Sequence, residues 1–155
     1  MLLSQLLAPD RVRVPLTARD KSGILRELAT LLVATSGGDE ADVLHAVRER
    51  EESQSTGYGY EVAIPHGRSP TLPGLAVVAG VSPAPIDYGA MDGQPVRLFF
   101  LVVGPESAAG QQVRALARIA RLVRRDSVRE RLIRAATPAE FCQVVRECEE
   151  RVAAG

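Results

Sequence analysis

The chain has 155 residues, of which 46% are apolar, so its length and composition suit one domain with a single hydrophobic core. Its 19 basic and 19 acidic residues balance, which argues against a nucleic-acid-binding protein or a polybasic membrane-surface protein. No apolar run approaches the roughly 18 residues of a membrane span, and the N-terminus lacks the pattern of a signal peptide. The two cysteines, Cys142 and Cys148, have no metal-site spacing and are typical of a reduced, cytoplasmic protein.

The charges are unevenly distributed along the chain. From Asp39 to Glu61 there are seven acids and two arginines, whereas from Ser107 to Ala136 there are eight arginines and two acids. Such segments can orient a partner protein, or they can be two solvated helix faces that attract each other across the fold. The sequence leaves both interpretations open.

The first third of the chain predicts one short strand and two helices. A β-prone run at 12–16 precedes a helix expected over about 20–35, where apolar residues recur at helical spacing. Thr17, with Asp20 three residues later, resembles a capping box for this helix, and Ser22 is a second possible cap. A second helix is expected over about 39–51 with Asp39 as its cap, followed by a polar loop at 52–59.

Strands dominate the middle of the chain. The pattern predicts strands at 60–64, 75–81, 86–88 and 96–103. The 75–81 segment is almost wholly apolar, which suits a strand covered on both faces, and the 96–103 segment is the most apolar and is expected to be a central strand.

Helices return after Pro105. A helix is expected over 108–125, a short one to about Ala135, and a final one from the strong start signal Thr137-Pro138-Ala139-Glu140. The expected buried stripe of the 108–125 helix is Val113, Leu116, Ala117, Ala120 and Val123, opposite an arginine stripe of Arg114, Arg118, Arg121 and Arg125. The final helix is expected to bury Phe141, Val145, Cys148 and Val152.

This order of elements predicts an α/β fold, a single-domain sandwich over 1–155 with a central mixed β-sheet of about five strands flanked by helices.

The two histidines have different sequence settings. His45 lies within a predicted helix among charged residues and reads as a solvated side chain. His66, in EVAIPHGR, follows a strand, and Gly67 is expected to leave open space beside the imidazole. A neutral, presented imidazole suits a nucleophile that attacks phosphorus, and a loop histidine is the alternative. Arg50, Arg68 and the amides around Gly67 are candidate donors to phosphoryl oxygens.

Four segments together resemble a known family. The runs GYGYEVAIPHGR, IDYGAMDGQPVRLFFLVVGP, LARIARL and TPAEF are similar to the EIIA domains of the bacterial phosphoenolpyruvate-dependent phosphotransferase system, in particular the mannitol/fructose and nitrogen-regulatory type. The resemblance covers nearly the whole chain.

The resemblance implies a phosphotransferase component without metal or organic cofactor. In that family the histidine of the PHG segment, here His66, accepts a phosphoryl group from the phosphocarrier HPr and passes it to an EIIB domain, while nitrogen-regulatory members act largely as phosphorylation-dependent regulators. The family's arginine falls on Arg50, which would bind phosphoryl oxygens; a surface ion pair with Glu51 or Glu52 is the alternative. Tyr58 and Ile64 are possible rim contacts for HPr or possible core residues. Since no EIIB or membrane segment is attached, the regulatory type is preferred.

Two positions depart from the family pattern. Gln112 stands where a second histidine is common; it can donate to a phosphoryl oxygen or hold an imidazole tautomer, but it cannot take up a proton. Glu61 would oppose a phosphoryl group if it pointed inward, and as a strand residue it is expected to face solvent. The alternative functions are an EIIA-like binding or regulatory module that does not transfer phosphate, and a small hydrolase with His66 as base.

Overall fold

A computed structural model describes residues 2–154, with side chains through Arg151. The helices are α1 Leu3–Leu6, α2 Lys21–Ser36, α3 Glu40–Ser53, α4 Ala109–Val123, α5 Asp126–Ile133 and α6 Pro138–Ala154. The strands are β1 Val12–Arg13, β2 Gly57–Gly59, β3 Val62–Ala63, β4 His66–Arg68, β5 Ala76–Ile86 and β6 Val96–Gly104. None of the described helices is both long and apolar enough to cross a membrane.

The strands form one mixed sheet around β6. The order is β1-β5-β6-β3-β2, and β4 also pairs with β6. β5 is antiparallel to β6, whereas β3 and β4 are parallel to it. Val62 lies opposite Leu98 and His66 lies opposite Val102, so β3 and β4 keep one register and are two parts of a strand interrupted at Ile64 and Pro65.

Each face of the sheet has its own core, whereas length and composition led us to expect a single one. Side chains of β6 point alternately to the two faces. Leu98, Phe100 and Val102 pack with the buried side chains of α4, α5 and α6, and Phe99, Leu101 and Val103 pack with those of α2 and α3. Burial on both faces is the reason that β6 is almost continuously apolar.

Helix starts agree with the capping predictions at α3 and α6 but not at α2. The Asp20 carboxylate accepts a hydrogen bond from the amide of Gly23 at 2.7 Å, so Asp20 caps α2 and the predicted caps Thr17 and Ser22 are wrong. The side chain of Asp39 caps α3 in the same way. Thr137 accepts from the amide of Glu140 at 3.1 Å at the start of α6. Phe141, Val145 and Cys148 of α6 are buried as predicted, and the Val152 side chain lies outside the described residues.

Several boundaries in the middle of the chain were predicted wrongly. α3 continues to Ser53, and Gly57–Gly59 is a strand that forms a hairpin with β3, so 52–59 is not a loop. Tyr60 and Glu61 have φ of 57° and 69° and form the hairpin turn, where an extended strand was expected. The strand expected at 86–88 is absent because Ile86 is the last residue of β5.

The predicted buried face of α4 is right at Val123 but wrong at Val113 and incomplete elsewhere. Val113 is 62% exposed, and the buried side chains are Gln112, Ala115, Ile119, Leu122 and Val123. Apolar spacing misplaced this face because the helix buries a polar residue, Gln112, while Val113 borders a surface cleft.

Candidate functional site

His66 begins β4, which lies past the end of β2 and pairs with β6. The amide of Ile64 still bonds the carbonyl of Thr56 on the β2 side, at 3.0 Å, but beyond Thr56 the chain leads back into α3. α3 packs against β4 instead. A Cβ atom at Gly67 would lie 3.2 Å from backbone atoms of Ala46 and Val47, a contact tighter than most, so glycine favours this close approach. The expected open space at Gly67 is therefore filled by the α3 backbone.

The His66 ring is held in one orientation. Its Nδ1 lies 2.9 Å from the carbonyl oxygen of Ile64, which can only accept, so Nδ1 carries the proton and Nε2 carries the free lone pair. Burial lowers the pKa of His66 below its ordinary value; the bond to Ile64 opposes this shift, the positive charge of Arg50 adds to it, and the negative charge of Glu51 opposes it. The ring is accordingly a neutral nucleophile at neutral pH.

An open cleft of about 680 Å³ borders the ring and has two walls. The α3 wall consists of Ala46, Glu49, Arg50 and Ser53, and the α4 wall consists of Gln112, Val113 and Leu116 together with Arg68 of β4. A second groove continues from His66 past Tyr58, Ile64, Met91, Leu116 and Ala120. The structure thus brings together all five predicted site residues, His66, Arg50, Gln112, Gly67 and Arg68.

Arg50 presents an uncompensated charge on the α3 wall. Its guanidinium donates to the carbonyl of Gln54 at 2.7 Å, and among the described residues it makes no ion pair. The alternative of an ion pair with Glu51 or Glu52 is therefore wrong. Arg50 lies close enough to lower the pKa of His66, so its charge reaches the site.

Glu51, the neighbour of Arg50, is buried and anchors the end of α3. Its carboxylate lies 2.8 Å from Nζ of Lys21 and accepts from the amide of Thr56 at 2.9 Å. It also accepts from the hydroxyls of Thr56 and Tyr88. Burial opposes ionisation, but these partners outweigh it and hold the pKa of Glu51 below its ordinary value. This network fixes the last turn of α3, which carries Arg50, to the start of β2.

Gln112 braces the α4 wall. Its buried side-chain amide donates to the carbonyls of Gly67, at 2.7 Å, and Val102, at 3.3 Å, so both hydrogens of the amide are used by the backbone. Its oxygen accepts from Nε of Arg68 at 3.3 Å. In this arrangement the partners of Gln112 among the described residues do not include the imidazole, and Gln112 joins α4 to β4.

Arg68 is held by two side chains on this wall. Its Nη1 lies 2.8 Å from both carboxylate oxygens of Glu106, in the turn that precedes α4, and its Nε donates to Gln112. Glu106 was not predicted. It lies 38 residues from Arg68 in sequence, and no local pattern connects the two.

Backbone amides near His66 are further possible hydrogen-bond donors to a phosphoryl group. In a parallel ladder with His66 opposite Val102, the amide of Gly67 bonds β6 and is not available to a ligand. The amides of His66 and Arg68 point the other way, toward the edge that β2 leaves open. These two amides replace that of Gly67 as candidate phosphoryl donors.

Apolar side chains surround the cleft and groove. Met91 is 70% exposed and Val113 is 62% exposed, and Tyr58 is also exposed, so three large apolar side chains near His66 face solvent. Ile64 is buried and belongs to the core, although it borders the groove. Glu61 is exposed at the hairpin turn. An exposed apolar rim of this kind is typical of a surface that meets another protein.

Comparisons with known proteins agree with this geometry. A model of the family described as the phosphoenolpyruvate-dependent sugar phosphotransferase system, EIIA 2, matches residues 5–148. A nitrogen regulatory protein of Bradyrhizobium diazoefficiens is 39% identical over 132 residues, which cover 85% of this chain and 86% of that protein.

Solved structures show the same fold. The nitrogen regulatory protein IIA-Ntr of Neisseria meningitidis superimposes with a TM-score of 0.86 at 29% identity, over 92% of this chain and 98% of that one. The mannitol enzyme IIA of Escherichia coli, solved in complex with phosphorylated enzyme IIB, superimposes with a TM-score of 0.78 at 19% identity, over 91% of this chain and 97% of that one. The family match, the relatives and the cleft at His66 lead to one conclusion: this chain belongs to the EIIA 2 family of the phosphoenolpyruvate-dependent sugar phosphotransferase system.

Proposed function

We propose that the protein is a phosphohistidine carrier whose Nε2 atom of His66 accepts a phosphoryl group from an HPr-type phosphocarrier. The observation that carries the proposal is the His66 ring itself: Nδ1 is fixed by the Ile64 carbonyl, so Nε2 is free and the pKa is lowered by burial. A nucleophile with these properties needs no further base.

The transfer is an in-line exchange between two imidazoles. The lone pair of His66 Nε2 forms a new N–P bond while the N–P bond of the donor histidine breaks, and its electron pair returns to the donor ring. The donor ring, protonated at its other nitrogen, leaves as neutral imidazole. His66 becomes a phosphoimidazolium that keeps its proton on Nδ1 and still donates it to the Ile64 carbonyl. Catalysis consists of positioning and charge stabilisation, and Arg50 is a cation close enough to lower the pKa of His66.

The surroundings of His66 suit a protein donor. The shallow cleft and the exposed Tyr58, Met91 and Val113 offer an apolar contact surface around the reactive nitrogen. As the second partner we propose either an EIIB domain, by analogy with the mannitol complex, or a protein that is regulated by the phosphorylation state.

The nitrogen-regulatory role is the preferred form of the proposal. It is supported by the 39% identity to the Bradyrhizobium diazoefficiens nitrogen regulatory protein. The same proposal assigns the protein to the cytoplasm, in agreement with its free, buried cysteines Cys142 and Cys148.

Phosphorylation from phosphoenolpyruvate tests the proposal. The protein is incubated with enzyme I, HPr and radioactive phosphoenolpyruvate, and the label on the protein is measured. The expected label is stable in alkali, labile in acid, present in His45→Ala and absent in His66→Ala. A wild-type protein that stays unlabelled, while a known EIIA is labelled by the same HPr, would refute the carrier function and favour a binding module without transfer.

A further inference from the structure

The two arginines of the cleft differ in what neutralises them. Arg50 makes no ion pair among the described residues and shifts the pKa of His66, whereas the guanidinium of Arg68 lies 2.8 Å from each oxygen of Glu106. The carboxylate of Glu106 is exposed and accepts nothing else from the described residues. Arg68 is thus drawn toward the turn before α4 although it lines the same cleft as His66.

The Arg68 side chain can change partners without leaving the cleft. Its Nε donates to Gln112, which is fixed by its own bonds to Gly67 and Val102, so the base of the guanidinium is anchored independently of Glu106. The ion pair with Glu106 is solvent-exposed, with side-chain exposures of 46% for Arg68 and 78% for Glu106. Exposed pairs of this kind are worth little and are readily exchanged.

We propose that Glu106 sets the phosphorylation equilibrium of His66 by competing with the phosphoryl group for Arg68. The inference rests on the proposed carrier function and assigns a role to a residue outside the predicted site. In the unphosphorylated protein Glu106 holds and neutralises Arg68. A phosphoryl group on Nε2 carries up to two negative charges and three acceptor oxygens, and it draws Arg68 from Glu106.

The exchange also changes the surface beside the cleft. When Arg68 turns to the phosphoryl group, the carboxylate of Glu106 loses its cation and faces solvent in the turn before α4. Phosphorylation thereby adds negative charge at His66 and exposes a second negative charge at Glu106. A partner that reads the phosphorylation state would meet both changes on one face.

The experiment measures the equilibrium ratio of phosphorylated protein to phosphorylated HPr. Glu106→Gln should raise this ratio by about 1.5- to 5-fold, the range expected for loss of one exposed ion pair. Arg68→Gln should lower it. Glu130→Gln, at an exposed residue of α5, removes the same charge away from the cleft and should leave the ratio unchanged.

The double variant separates competition from simple repulsion. If Glu106 acts through Arg68, the effect of Glu106→Gln disappears in the Arg68→Gln background. If Glu106 merely repels the phosphoryl group, the effect persists there and the inference is overturned, as it is by an unchanged ratio in Glu106→Gln. A wild-type protein that takes no phosphoryl group refutes the carrier function and this inference together, whereas normal labelling without coupling refutes the inference alone.

Discussion

Each wall of the cleft carries an arginine, but only the arginine of the α4 wall is paired with a carboxylate among the described residues. On the α3 wall, the Arg50 guanidinium bonds, among the described residues, only the carbonyl of Gln54, and its charge acts on His66. On the α4 wall, Arg68 is paired with Glu106 and bonded to Gln112. The difference teaches that lining the same cleft does not make an arginine equally available, because its other partners decide whether its charge is free or neutralised.

The two walls also differ in the residue that fixes them in place. The α3 wall is fixed from behind by buried Glu51, whose partners Lys21 and Thr56 do not touch the cleft. The α4 wall is fixed by Gln112, which lines the cleft itself. We therefore expect substitutions on the α3 wall to affect transfer through Arg50, and substitutions of Gln112 to affect both stability and the site.

The largest effect is expected for Arg50→Ala. Loss of a charge-assisted hydrogen bond to a phosphoryl oxygen costs about 1.5–3 kcal/mol, which corresponds to phosphorylation by HPr that is about 10- to 100-fold slower. The matched control is Arg48→Ala, because Arg48 lies on the same helix but bonds the hydroxyl of Ser22, outside the cleft. Equal rates for the two variants would show that Arg50 is a surface residue without a role in transfer.

A smaller effect, on stability, is expected for Gln112→Leu. The substitution leaves the buried carbonyl of Gly67 without its 2.7 Å donor, which lowers the free energy of unfolding by about 1–3 kcal/mol in urea denaturation. Gln111→Leu is the control, because Gln111 is the exposed neighbour on the same helix. If both variants unfold at the same urea concentration, the brace contributes nothing and the α4 wall is held by packing alone.

Sequence reasoning found the site where the information was local. His66, Gly67, Arg50 and Arg68 are candidates from the residues themselves, whereas Gln112 and the matching of Arg50 to the family's arginine come from the resemblance. The bonding partners of Gln112 were not predictable, since Gly67 lies 45 residues away and the choice between a ligand and a backbone carbonyl depends on the packing of α4 on the sheet. Glu106 was missed for the same reason.

The fold was predictable in its layers and less so at its edges. The sandwich with a central apolar strand followed from apolar patterning, because burial on both faces leaves a continuous signal. The β2–β3 hairpin was missed because Tyr60 and Glu61 adopt positive φ without a glycine at either position. The exposure of Val113 was missed because an apolar residue at a cleft has the same signature as one in the core.

A further test concerns the contact that joins the α3 wall to β4. In Gly67→Ala the new methyl group meets the backbone of Ala46 and Val47 at 3.2 Å, so α3 must move by a few tenths of an ångström. We expect a loss of about 1 kcal/mol in the free energy of unfolding, the lower end of the cost of overpacking. Gly74→Ala, where a Cβ would meet nothing within 4 Å, is the control. A stability equal to that of the control would show that the helix accommodates the methyl group.

The smallest effect distinguishes the two arginines without any phosphoryl donor. Burial lowers the pKa of His66, and the positive charge of Arg50 lowers it further, while the bond to Ile64 opposes the shift. The ring signal of His66 is assigned in an NMR titration by its loss in His66→Ala. The midpoint of its titration should lie at a pH below about 6.5. It should rise in Arg50→Ala and stay unchanged in Arg68→Ala. At pH values between the His66 pKa of the folded protein and about 6.5, the unfolded chain binds more protons at His66 than the folded protein does. The contribution of His66 to the free energy of unfolding therefore decreases as the pH falls through that interval. A midpoint that rises equally in both arginine variants would mean that Arg68 is as free as Arg50, and the contrast between the walls would be lost.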